Sequence, residues 1–190
     1  MIIRPARPDE IPALERLIAA SARTLSIGFY SPQETEAAIK HVFGVDSELV
    51  GDGTYLVVEL DGRIAGCGGW SRRATLFGSD RFAQRQIGFV DPAQAPAKIR
   101  AFFIAPEFAR RGVGAALLDA CEAAARAADF TQAELMATLP GVPFYTAYGY
   151  RAQGEVVQHY DGIALRFVPM RKTLFQPSQQ EAAPETEVQT

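Results

Sequence analysis

Apolar residues recur along this chain with two periods, and each change of period marks an element. Ile11, Leu14, Leu17 and Ile18 fall at helical spacing behind the acidic start Pro8-Asp9-Glu10, which predicts an amphipathic helix to about Arg23. Ser31-Pro32, with Glu34 three residues after Ser31, has the form of a capping box and opens a second helix from about Pro32 to Phe43. Thr54 to Leu60 is rich in β-branched and aromatic residues and is expected to be a strand. Asp61-Gly62 then supplies the turn chemistry of a tight hairpin, so Arg63 to Trp70 is the returning strand. Its glycines at 66, 68 and 69 imply that something packs closely over its backbone.

Met1 to Arg4 is a short apolar run stopped by Pro5, read as a first strand. Residues 71–96 show no period and carry Gly78, Gly88, Pro92 and Pro96; a connection of this length inside a domain is usually functional. Ala97 to Ile104 is the next strand. Gly112 to Ala128 is a helix with Val113, Leu117, Cys121 and Ala124 on one stripe, and its alanines imply close approach to a sheet. Ala133 to Thr138 is a strand and Pro143 to Tyr148 a short helix. Tyr150 to Gln158 and Ile163 to Lys172 are read as the two last strands. The order predicts an α/β fold with a central mixed sheet and helices on both faces. From Phe175 the chain turns to Gln, Glu, Ser, Pro and Thr, so the expected division is a domain over 1–174 and a disordered acidic tail over 175–190.

Composition narrows the chemistry. With 190 residues, 48% hydrophobic, there is one domain's worth of core. A net charge of −3 argues against nucleic-acid binding through a basic surface. No apolar stretch approaches the ~18–20 residues of a membrane span, and the first residues lack the apolar segment of a signal peptide. The two cysteines, Cys67 and Cys121, have neither metal-type spacing nor a disulfide framework. A cytoplasmic domain without a metal is the expectation.

The segment that carries chemistry runs from Arg100 to Leu118. A strand ends at Ile104, a short loop holds Arg110 and Arg111, and Gly112-Val113-Gly114 opens a helix. Glycines let backbone approach an anion, and the first helical amides have no intrahelical acceptor. The helix dipole adds about half a positive charge there. A pyrophosphate suits such a loop; a plain helix cap with ordinary loop arginines is the alternative. It is not a dinucleotide fingerprint, since Leu117 stands where a third glycine is needed, and no Gly-Lys-Ser/Thr occurs for a P-loop.

The stretch Ala109-Arg110-Arg111-Gly112-Val113-Gly114 resembles the acyl-CoA signature of the GNAT family of N-acetyltransferases, Gln/Arg-x-x-Gly-x-Gly/Ala, with Ala109 where Gln or Arg is usual. Downstream, Phe144-Tyr145-Thr146-Ala147-Tyr148-Gly149-Tyr150 resembles the family's Phe-Tyr-x-x-x-Gly-Phe. The resemblance covers the chain to about Lys172. It implies two splayed central strands that admit the pantetheine arm of acetyl-CoA, with the main chain of Phe102 and Ile104 pairing with that arm. It implies a pyrophosphate held by Arg110, Arg111, Gly112, Val113, Gly114 and Ala115. Tyr145 aligns with the tyrosine that protonates the departing thiolate, a role that a fixed phenol of pKa ~10 can fill beside a thiol of pKa ~8.5; a packed aromatic is the other reading. Thr138 stands where relatives often carry a cofactor-contacting Asn. Candidates for a general base are Glu134, His159 and Asp161, each also readable as a surface residue. Trp70, Arg72 and Arg73 open the long connection and are candidates for acceptor binding, or solvated loop charges. The implied activity is transfer of acetyl from acetyl-CoA to an amine of a small molecule or peptide, by direct attack in a ternary complex. A non-catalytic acyl-CoA sensing module and an enzyme for longer acyl-CoA are the alternatives. No nucleic acid or membrane partner is expected; a homodimer stays open.

Overall fold

The computed structural model describes residues 1–82 and 86–174; the expected tail over 175–190 lies outside the described residues. β1 (Ile2–Pro5) is followed by a single 3-10 turn (Pro8–Glu10) that runs into α1 (Ile11–Leu25). The predicted capping box is present at α2 (Pro32–His41). Ser31 Oγ accepts from the Glu34 amide at 3.2 Å, and Glu34 Oε2 from the Ser31 amide at 2.7 Å. α2 stops two residues short of Phe43, whose backbone amide still bonds back to Ala38 O at 2.7 Å. α3 (Ser47–Gly51) was not legible as a helix because one turn is too short to show a period; Asp46 caps it, accepting from the Glu48 amide at 3.1 Å.

β2 (Tyr55–Leu60) and β3 (Arg63–Ser71) form the predicted hairpin, with Asp61 at φ 53° and Gly62 at φ 71° as a type I′ turn needs. β4 (Ala97–Ile104), α4 (Val113–Ala127), β5 (Gln132–Thr138) and α5 (Val142–Ala147) follow as expected. The expected strand over 150–158 is two strands, β6 (Arg151–Ala152) and β7 (Val156–Tyr160), interrupted around Gly154 at φ 120°. Both pair with the long β8 (Ile163–Thr173), because one edge of an eleven-residue strand can serve two short partners.

The sheet runs β1-β2-β3-β4-β5-β8-β6, with β7 on β8. Every pairing is antiparallel except β4 with β5. One core lies under α4, with Val113, Leu117, Leu118, Cys121 and Ala125 at 1% exposure or less. A second lies on the opposite face, where α1 and α2 bring Leu14, Ile18, Ala22 and Ala38 against Tyr55, Val57 and Phe167. Among the described residues, no helix is long and apolar enough to cross a membrane.

Candidate active site

The site begins with a defect in β4. Its register against β3 slips between Cys67 and Gly69: Cys67 faces Phe103, whereas Gly69 faces Arg100. The extra residue is a bulge, and Ala101 there has φ 54°, a left-handed conformation that costs an alanine about 1–2 kcal/mol. Tyr55 holds it in place, its hydroxyl donating to Ala101 O at 3.2 Å. The bulge resets the alternation of side chains. Ile99, then Phe102 and Ile104, pack with the α4 core, while Ala101 and Phe103 pack with the α1–α2 core.

β4 and β5 pair in parallel only at Ala97, Lys98 and Ile99, against Ala133, Glu134 and Leu135. Beyond Ile99 they part, so the β5-facing edge of Phe102 to Ile104 has no strand partner. A cleft of about 720 Å³ fills the gap. It passes between the two faces of the sheet, touching Phe102, Ile104, Gly112, Gly114 and Tyr145 on the α4 side and Ala22, Phe43 and Phe167 on the other.

The loop between β4 and α4 lies along this cleft. Arg110 (φ 62°) and Gly112 (φ 80°) are both left-handed, and Gly112 is the N-cap of α4. The first backbone bond of the helix is Ala116 N to Gly112 O at 3.0 Å, so the amides of Val113, Gly114 and Ala115 precede the helical ladder, and the cap residue has no side chain to occupy them. Nothing lies within 4 Å of where a Gly112 Cβ would stand. Phe108 anchors the loop, buried between the Arg63 and Arg111 guanidiniums at 5.2 and 5.1 Å from its ring centre.

Tyr145 stands where the two signatures meet. Its ring makes edge contacts with Phe102, Phe144 and Tyr150 at centroid distances of 6.4, 5.1 and 5.7 Å. Burial pushes its phenol above the usual value, so it stays protonated at neutral pH and is a donor rather than a base. Gly141 makes room for the ring: a Cβ there would sit 3.2 Å from Tyr145 Cε2 and 3.3 Å from Thr138 Oγ1.

Of the residues the sequence singled out, Arg110, Gly112, Val113, Gly114, Ala115, Phe102, Ile104 and Tyr145 line the cleft, and so does Thr138. Arg111 does not; it turns toward Asp61 (3.2 Å) and lies over Phe108. Trp70, Arg72 and Arg73 also lie off the cleft. Trp70 packs on Phe130 at 6.1 Å, Arg72 lies over Phe89, and Arg73 pairs with Asp52 at 2.7 Å. Of the long connection they open, Phe77 and Gly78 reach the cleft instead. None of the base candidates lines it. Glu134 is held by Lys98 and Arg171, Asp161 by Lys40 and His41, and His159 is exposed. Cys67 and Cys121 are buried, and burial lifts the Cys67 thiol to about 12, so neither is poised as a nucleophile. Phe43, Phe77, Met136 and Phe167 were missed, because their only sequence signal is hydrophobicity, which core residues share.

A family model described as an acetyltransferase (GNAT) domain matches residues 28–174. The chain belongs to the GNAT acetyltransferase family. Its fold is that of a GCN5-related N-acetyltransferase from Rhodopseudomonas palustris, at 21% identity and TM-score 0.68 over 91% of this chain and 95% of that one. It is also similar to ribosomal-protein-alanine N-acetyltransferase from Brucella melitensis, at 17% identity and TM-score 0.61 over 92% and 100% of the two chains. The acetyltransferase-like yncA of Salmonella typhimurium, solved with its cofactor acetyl-CoA, matches at 14% identity and TM-score 0.60 over 96% and 98%. A comparison with curated protein sequences finds no match. As a member of that family, the chain is an acetyltransferase.

Proposed function

We propose that this GNAT domain transfers acetyl from acetyl-CoA to an amine by direct attack within a ternary complex, with the two substrates entering the cleft from opposite faces of the sheet. The observation that carries this reading is the single cleft through the splay, which joins the amide-lined loop to the chamber under α1 and α2. The residues on the α4 side fit the cosubstrate. The amides of Val113, Gly114 and Ala115, with Arg110 of the same loop also lining the cleft, receive the pyrophosphate; glycine at 112 and 114 keeps the surface bare. The unpartnered edge of β4 from Phe102 to Ile104 offers main-chain groups to an extended arm, in the manner of an added strand.

One amide of that edge, oriented in a dry cleft, can polarise the thioester carbonyl; a donor of this kind is worth about 3 kcal/mol of barrier. The amine nitrogen attacks the carbonyl carbon, the C–N bond forms and the C–S bond breaks. Tyr145 gives its phenolic proton to the departing sulfur and recovers one from the nitrogen. Calorimetry of acetyl-CoA on the wild type and on Gly114→Val tests the phosphate loop. Because Gly112 is left-handed and strains under any side chain, Gly114→Val alone is the cleaner variant: it should lose binding while keeping its fold by circular dichroism, and unchanged affinity would refute the assignment. Free thiol release from acetyl-CoA, with product mass, tests the transfer itself.

A further inference from the structure

The wall of the cleft under α1 and α2 is aromatic. Phe43 packs edge-on against Phe103 and Phe167 at 5.3 and 6.5 Å, and Phe77 lies 5.8 Å from Phe167. Met136 and Leu25 complete the wall, with Leu25 partly exposed at the rim. Its polar side chains are the hydroxyl-bearing Ser21 and Ser26. Among the described residues lining the cleft, the ionisable ones are Arg110, Tyr145 and Tyr148; no carboxylate, histidine or lysine is present.

Most charged groups on the elements around this chamber are committed to partners: Arg23 of α1 pairs with Glu36 of α2 at 2.6 Å and Glu34 accepts from the Ser31 amide, while Arg16 of α1 and Arg166 of β8 are exposed. Glu15 of α1 pairs with Arg81 and accepts from the Val45 amide at 2.7 Å. Arg100 of β4 is buried against Asp46 at 2.6 Å. Glu134 of β5 is held between Lys98 and Arg171, and Lys40 and His41 of α2 reach Asp161 beyond β7. An alkylammonium entering this chamber would shed its water with no counter-charge in the lining to replace it, the Glu15 carboxylate behind Gly44 being already paired with Arg81. Such surroundings favour the neutral amine, lowering the pKa of any amine they enclose.

We infer that the acceptor is a primary amine carried on an aromatic or branched apolar body, bound as its free base. This rests on the acetyltransferase reading and narrows it. The Phe wall takes the body, and the chamber itself selects the deprotonated nitrogen, so no general base is needed for the attack. The nitrogen lone pair forms the new C–N bond, and its surplus proton passes to the site that Tyr145 has emptied. Polyamines and aminoglycosides would leave a second cation unmatched in the same space, and a peptide would bury backbone amides against an aromatic wall that offers them few partners.

The test measures kcat/KM for thiol release from acetyl-CoA with 2-phenylethylamine, isopentylamine, spermidine, kanamycin and a short peptide with a free N-terminal serine. The apolar amines should exceed the others by roughly 10- to 100-fold, the value of burying one such body. Across phenylethylamines made less basic by β-fluorination, the midpoint of the pH–kcat/KM profile should move down with the pKa of the amine itself. Leu25→Glu should lower kcat/KM for 2-phenylethylamine at least ~10-fold while leaving acetyl-CoA affinity unchanged. Preference for spermidine, kanamycin or the peptide would overturn the acceptor class and leave the transferase standing. A pH midpoint fixed across the series would reveal a protein base and overturn binding as the free base. Faster turnover of decanoyl-CoA than of acetyl-CoA would assign the wall to the acyl chain and overturn the proposal. Tight acetyl-CoA binding with no thiol release from any amine would remove the acetyltransferase reading and this inference with it.

Discussion

Replacing Gly68 by alanine probes how the sheet holds the catalytic wall. Gly68 lies on β3 opposite the β4 bulge, and a Cβ there would stand 2.8 Å from Phe102 Cε2 and 2.9 Å from its Cγ, with Cδ2 nearer still. Carbon atoms rest at about 3.5–4.0 Å, so the ring must retreat by roughly 1 Å. Because Cγ is among the atoms struck, rotating the ring does not relieve the contact and the whole side chain moves. Its neighbour across the cleft is Tyr145, whose ring centre is 6.4 Å away. Overpacking of this kind costs about 1–3 kcal/mol, which for a domain of this size lowers Tm by about 2–12 °C. A 1 Å misplacement at the reacting centre can cost ~100-fold in rate, so kcat should fall well beyond the loss of folded protein. Gly51→Ala is the control: it lies in α3 with nothing within 4 Å of its Cβ position, and helix propensity there predicts no loss of stability. Thermal melts and initial rates of thiol release on both variants decide the matter. If Gly68→Ala melts within about 1 °C of the wild type and turns over normally, the close packing of Phe102 against β3 does not position Tyr145.

Tyr145→Phe should lower turnover roughly 10- to 1,000-fold with acetyl-CoA affinity little changed; an unaltered rate where chemistry is limiting would reduce Tyr145 to packing. Arg100→Met leaves the Asp46 carboxyl buried without its guanidinium and should cost about 3–5 kcal/mol in urea unfolding, much of it regained in Arg100→Met/Asp46→Asn. The Arg4 hydrogen bonds hold the Glu10 carboxyl at about 2, below its ordinary 4.5, against the opposing effect of burial. The stability this confers is complete above the ordinary value and lost as pH falls toward the depressed one. Melts of the wild type and Glu10→Gln should therefore converge as pH drops through that window, and a constant difference would show that Glu10 stays charged or contributes nothing.

Local chemistry determined much of this protein from the sequence alone. Ser31 with Glu34, and Asp61 with Gly62, fix a helix start and a hairpin through hydrogen bonds and φ angles that involve only neighbouring residues. The glycines at 66 and 68 announced close packing, and the structure supplies it in Ile104, Val113 and Phe102. The loop at Gly112 and Gly114 was legible for the same reason: bare amides at a helix start are a property of a few consecutive residues. The chamber was not. Phe43, Phe77, Met136 and Phe167 come from four separate segments, and nothing in the chain distinguishes a phenylalanine that lines a cleft from one that fills a core. Arg72, Arg73 and Arg111 lie off the cleft for the converse reason, since their partners, Phe89, Asp52 and Asp61, are brought to them by the fold. The bulge at Ala101 joins both lessons. Register is a relation between two strands, so only the assembled sheet could decide which face Phe102 and Phe103 would each present to the cleft.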